Sequence, residues 1–228
     1  MPFKSLGDIN LAASQSGVTK IETSDIRILL DEKSLNSLLF MKPFSKLCFI
    51  YSTVSEFLRS GNVIYIDLDT TFTSYVRNGV FNFSEVNDLL IYTPSANEFE
   101  ELLSDICSRI NSDVALVIID SLNSFYHLYD GVKVGSLNHL LSSYVSLLLD
   151  HTSRLGSRLL ITSMIRQRKT TEWILVPSNR RFIETKGGVI LMVDLLDGAL
   201  EINLLKHRKL KISSTKMLLT KEQIPIAS

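Results

Sequence analysis

The amino-acid sequence predicts an α/β protein: a doubly wound, mostly parallel sheet with helices on both faces and a C-terminal β-hairpin. Three observations carry that reading. Short β-branched runs ending in acids, VIYID (Val63 to Asp67) and VALVIID (Val114 to Asp120), have the character of central strands buried on both faces. Between such runs lie segments whose apolar residues recur at helical spacing. Near the end, Leu200, Ile202 and Leu204 alternate with Glu201 and Asn203 just after Asp197-Gly198, a hairpin turn signal. Strands and helices in alternation give a parallel sheet, and a closing hairpin adds antiparallel strands at one edge.

The elements follow in order. Residues 1–25 are polar and form an N-terminal arm, residues 26–215 the core domain, and residues 216–228 a tail. Asp25 to Met41 is a short apolar segment followed by a helical turn, broken at Pro43. LCFIY, Leu47 to Tyr51, reads as the first buried strand. Ser52 to Asn62 then joins it to the strand Val63 to Asp67, with Thr53 and Glu56 as a capping box and Phe57 and Leu58 on a short helix. Ser84 caps a turn of helix, and Leu89 to Tyr92 is a strand stopped by Pro94. Ser95 with Glu98 makes a second capping box. It opens a helix whose inner face is Phe99, Leu102, Leu103, Ile106 and Ile110. After the strand Val114 to Asp120 a polar loop runs through Gly131 and Gly135. Ser136 caps a long helix with Leu137, Leu140, Leu141, Tyr144, Leu147, Leu148 and Leu155 on its core side, and Gly156 ends it. Arg158 to Ser163 is the next strand. Met164 to Lys186 is a long basic loop holding a short strand at Trp173 to Val176.

Composition narrows the function classes. The chain has 228 residues, 45% of them hydrophobic, which suits one large domain with a substantial core. No apolar run reaches the ~18 residues that span a bilayer, and the first residues lack the apolar stretch of a signal peptide. Two cysteines, Cys48 and Cys107, make no disulfide framework, so reduced core residues of a cytoplasmic protein are expected. The four histidines show no metal-ligand spacing, and no nucleophile elbow is present; no metal and no cofactor are expected. Net charge is zero but unevenly spread. From Arg154 to Lys221 there are 14 Lys/Arg against 5 Asp/Glu, and up to Ser153 the balance is 10 against 18. A basic end on a neutral protein suggests a polyanionic partner.

Four segments together resemble the RecA/RadA recombinase family. KSLNSLLF, Lys33 to Phe40, resembles the segment before the first core strand of archaeal recombinases, and VIYIDLDTTF, Val63 to Phe72, their Y-I-D-T-E-G-T-F. VALVIIDSLNSFY resembles the Walker B strand, and RLLITSMIR the strand that leads into the second DNA-binding loop. The resemblance spans residues 30–210 and implies a RecA-like fold; the family's N-terminal helical module has no counterpart in it. By position, Asp69 stands where the family has its catalytic Glu and Asp120 where its Mg²⁺-supporting Asp stands. Ser163 and Ile165 replace the family's Asn and Gln.

One part of the family pattern is missing. A phosphate cradle G-x-x-x-x-G-K-[ST] needs glycines five apart, and no pair among the ten glycines is so spaced. The sequence therefore predicts an inactive ATPase-fold paralogue, without the backbone nest, lysine or hydroxyl that hold a triphosphate. Asp69 and Asp120 remain as degenerate counterparts of catalytic residues. The expected role is that of an accessory protein in homologous recombination and DNA repair, with single-stranded DNA, a RecA/RadA-type recombinase or a related paralogue subunit as partner. The DNA-binding candidates are Arg166, Arg168, Lys169, Arg180, Arg181 and Lys186 around Trp173, since cations plus a stacking aromatic suit single strands. Lys206, Arg208, Lys209 and Lys211 either extend that basic face or protect a sheet edge. The alternatives are an ATPase whose nucleotide site is atypical or completed by a partner, and a pure protein-binding scaffold.

Overall fold

A computed structural model describes residues 19–20, 26–83, 87–167, 173–175, 182–183, 187–196, 199–211 and 213–218. Ser84 and the turn at Asp197-Gly198 lie outside the described residues. The elements are β1 (Thr19–Lys20), α1 (Ile26–Leu29), β2 (Leu35–Phe40), α2 (Pro43–Leu58), β3 (Asn62–Asp67), α3 (Thr71–Arg77), β4 (Leu89–Tyr92), α4 (Phe99–Arg109), β5 (Val114–Asp120), α5 (Leu122–Leu128), α6 (Val134–Leu155), β6 (Arg158–Gln167), β7 (Trp173–Leu175), β8 (Gly187–Leu196), β9 (Ala199–Lys206) and β10 (Ser213–Leu218). They build one sheet in the order β1-β10-β9-β8-β2-β6-β5-β3-β4, with β7 paired to β6.

The sheet is parallel from β8 through β4 and antiparallel in the β8–β9 hairpin and the β9–β10 pair. The chain moves one way along the sheet from β2 to β3, and the other way from β4 to β5 to β6. Right-handed crossovers in opposite directions lie on opposite faces. Two apolar layers result. Leu38, Val63, Tyr65, Leu116, Ile118 and Leu160 pack with α1 and α2. Leu39, Ile64, Ile66, Val117, Ile119 and Ile161 pack with α4, α5 and α6. Neighbouring strand residues fall into different layers because successive side chains alternate across a strand.

The sheet corrects the start of the sequence reading. LCFIY is no strand: Leu47 to Tyr51 lie within α2, and so do Thr53 and Glu56, which form no capping box. The first core strand is Leu35–Phe40, inside the segment expected to precede it. A run such as LCFIY looks the same in a buried strand and a buried helix; length decides, and 16 residues from Pro43 to Leu58 make a helix. Pro43 opens that helix at N1 and breaks none. Two smaller corrections concern helix starts. Ser136 lies inside α6, whose N-cap is Lys133, and the polar loop before it contains α5. Leu147 and Leu155 face solvent, while Val145 and Thr152 are buried. At Ser95 only the glutamate half of the box forms, with Glu98 Oε2 accepting from the Ser95 N–H at 2.9 Å.

Candidate functional site

Strand periodicity decides which polar side chains meet. Tyr65 and Asp67 on β3, Asp120 on β5 and Thr162 on β6 continue the series that faces α2. Asp67 and Asp120 are direct register partners at the carboxyl ends of their strands, where ligands bind in open α/β sheets. The first turn of α2 packs over this spot and delivers Lys46.

Lys46 is 1% exposed. Its Nζ donates to both oxygens of Asp120, at 2.9 and 2.8 Å, and to Asp69 Oδ2 at 3.1 Å. Asp120 also accepts from Tyr65 Oη and Thr162 Oγ1, each at 2.5 Å. Both of its oxygens thus take two donors. Asp69, on the loop after β3, also accepts from the Thr71 N–H at 3.0 Å, which fixes the first turn of α3. The Phe40 ring centroid lies 5.3 Å from the ammonium and closes one side of the cluster.

The electrostatics follow from burial and pairing. Burial lowers the Lys46 pKa, but the charges of Asp120 and Asp69 and the bonds to them outweigh it, and the net shift is upward. Asp69 is likewise opposed by burial, yet Lys46 and the Thr71 bonds hold its carboxyl below the ordinary value. Burial, together with the neighbouring acids, pushes the Tyr65 hydroxyl well up, so it stays a donor. Asp67 is the exception. Its Oδ2 accepts from Thr73 N and Oγ1 at 2.7 and 2.6 Å, but its buried Oδ1 has no partner among the described residues. Burial lifts its pKa to about 6 against the pull of the Thr73 bonds.

Lys46 is the residue that sequence reasoning missed. With the strand at Leu35–Phe40 and the helix from Pro43, the strand–loop–helix frame of a phosphate loop falls on Phe40 to Leu47. Laid on that spacing, Phe40 and Ser45 would fall at the glycine positions, Leu47 at the hydroxyl position and Lys46 at the lysine position. The connection Ser52 to Asn62, where the sequence reading placed the loop, is the end of α2 and its turn into β3.

The described members of the remaining candidates lie at two ends of the sheet. Arg166 lies near the end of β6, and Trp173 on β7 pairs in register with Gln167. Arg168, Lys169, Arg180, Arg181 and Lys186 lie outside the described residues. Lys206, Arg208, Lys209 and Lys211 are exposed at the end of β9. There Arg208 and Lys209 share a cleft with Arg158, the first residue of β6, so this group sits at the sheet end away from Arg166. Ser163 is buried on β6, and Ile165 packs in the α4–α6 layer. Among the described residues the one cluster of metal-ligand type is Asp67, Asp69 and Asp120, and no histidine joins it.

No protein-family profile and no curated protein matches the chain. Among solved structures, that of the RadB recombinase superposes with a TM-score of 0.65 at 15% identity, covering 89% of this chain and 95% of that one. The fold is RecA-like. At that identity the likeness speaks for the fold, which is the one the four short segments implied. No helix among the described residues is long and apolar enough to cross a membrane.

Proposed function

We propose that this RecA-like protein is a non-catalytic accessory factor in homologous recombination and DNA repair, which binds single-stranded DNA, a RecA/RadA-type recombinase or both. One observation carries the reading: the ammonium of Lys46 sits within the acids that a RecA-like ATPase keeps for its cation. The residues present do not fit a magnesium–triphosphate group. Phe40 and Ser45 supply no glycine nest. Lys46 donates to Asp120 and Asp69, and Asp120 has both oxygens engaged by protein donors. A phosphate-loop lysine serves by leaving its charge free for phosphate; this one is neutralised inside the protein.

The likeness to a recombinase supports the process, and the basic stretch around Trp173 supports the single-stranded partner. The competing reading is an ATPase completed by a partner subunit, favoured by the convergence of Asp67, Asp69 and Asp120. Titration of the full chain with a fluorescent ATP analogue and Mg²⁺ separates the two. No saturable binding in the micromolar range is expected, alone or with a candidate recombinase. Micromolar binding abolished by Asp120→Asn would overturn the proposal.

A further inference from the structure

A second polar site lies at the opposite end of the sheet. A cleft of about 380 Å³ opens between the α1–β2 connection, the start of β6 and the segment after β9. Asp31 in its lining is held by the buried Asn36, which accepts from the Asp31 N–H at 2.8 Å and donates to the carbonyls of Asp31 and Leu159, both at 2.9 Å. Five lysines and arginines line it (Arg27, Lys33, Arg158, Arg208 and Lys209) against two acids, Asp31 and Glu32.

The cations are not matched one for one. Arg27 and Arg158 lie against the same Phe57 ring, with their guanidinium carbons 5.6 and 5.4 Å from its centroid. Arg158 is engaged: it donates to the Leu30 carbonyl at 3.0 Å and to Glu32 at 2.8 Å. Lys209 comes within 3.9 Å of Asp31. Arg27, Lys33 and Arg208 have no ion pair among the described residues. Of the two guanidinium groups on this ring, only that of Arg158 has an ion pair among the described residues. His207 adds a neutral donor. Its Nδ1 accepts the N–H groups of Lys209 and Leu210, both at 2.9 Å, which leaves the ring proton on Nε2, and that buried Nε2 has no partner among the described residues.

We propose that this cleft binds a phosphate group. The wall offers mostly donors, its surplus of three cations suits a multiply charged ligand, and guanidinium forks match tetrahedral oxyanions in pairs. The phosphate comes either from a small phosphoester or from a nucleic-acid backbone, and both present the same oxygens.

Isothermal titration of the full chain with pyrophosphate at low ionic strength tests the site. Saturable binding is expected, and the Arg27→Gln/Arg208→Gln variant should weaken it about tenfold or more, the loss of at least one charge-assisted bond. Both side chains are at least partly exposed, so melting temperature should hold; if it falls, exposed Arg208→Gln alone serves. A single-stranded oligonucleotide that displaces pyrophosphate assigns the site to a nucleic-acid backbone, and failure to displace assigns it to a small phosphoester. Absence of binding up to about 10 mM pyrophosphate, or binding unchanged in the double variant, overturns the proposal. Asp120→Asn leaves this cleft intact, so ATP binding here is distinguishable from binding at the Lys46 cluster.

Discussion

Replacing Lys46 by Met removes one charge from a buried set and strands its partners. The Lys46 side chain is 2% exposed, that of Asp120 is 0% and that of Asp69 is 29%. Without the ammonium, Asp120 keeps only its bonds from Tyr65 and Thr162, beside the carboxylates of Asp67 and Asp69. Breaking a buried ion pair from one side costs about 3–5 kcal/mol. At about 2–4 °C per kcal/mol for a chain of this size, melting should fall by roughly 6–20 °C. The sign with pH is fixed by the shifts. The raised pKa of Lys46 makes its contribution complete below the ordinary lysine value and lost only as pH rises through the higher folded value. The wild type therefore keeps it throughout the neutral range. Urea titration at pH 7 measures the loss, and Lys46→Met/Asp120→Asn should recover more than half of it by removing the stranded charge. A single variant within about 1 kcal/mol of wild type at pH 7, below the range for a broken buried pair, would refute the internal counter-ion. So would a double variant no more stable than the single one.

Four further outcomes can be checked. Asp67 holds its proton more tightly folded than unfolded, so its contribution is complete below the ordinary carboxylate pKa and lost as pH rises through about 6. Asp67→Asn should accordingly stabilise the protein at pH 7.5 by about 2–3 kcal/mol, at ~1.4 kcal/mol per unit, and by far less at pH 4 in urea titrations. Lys46→Ala should convert Asp67, Asp69 and Asp120, whose nearest oxygens lie within 4.8 Å of one another, into a divalent-cation site, seen as a Mn²⁺-dependent rise in melting temperature absent from wild type. Single-stranded DNA binding, followed by anisotropy, should fall with salt at a log–log slope near −3.5 for about five phosphates, and Arg166→Ala/Arg168→Ala/Lys169→Ala should flatten it. Gly61→Ala should lower stability by about 1–3 kcal/mol, because a Cβ there would lie 2.5 Å from the Asp113 carbonyl, which also accepts the Asn62 N–H; thermal denaturation reads it.

How much of this was legible in the sequence depends on which pattern each residue obeys. VALVIID shows as a strand from end to end because β-branched residues in a short run leave one reading, and the β8–β9 hairpin shows because its alternation has period two. The sheet ends were legible too, since acids closing apolar strands placed Asp67 and Asp120 side by side. The α2 segment was not. PFSKLCFIYSTVSEFL is apolar enough to be buried almost all round, and 12 of its 16 residues are buried, so no polar stripe reveals the helical period. Misplacing that one element moved the loop by a dozen residues and hid Lys46, which looked like a charge flanking a strand. A lysine so placed is informative only through its partners, and those come from the loop after β3 and from β5, 23 and 74 residues away in the chain. A cue was nonetheless present: a proline two residues before Ser45-Lys46 opens a helix better than it ends one. Reading Pro43 as N1 puts Lys46 in the first helical turn, directly after a strand, which is where a phosphate-loop lysine stands. The glycine spacing carries no signal here because the turn between β2 and α2 holds no glycine, and Lys46 instead serves as the counter-charge of Asp120 and Asp69.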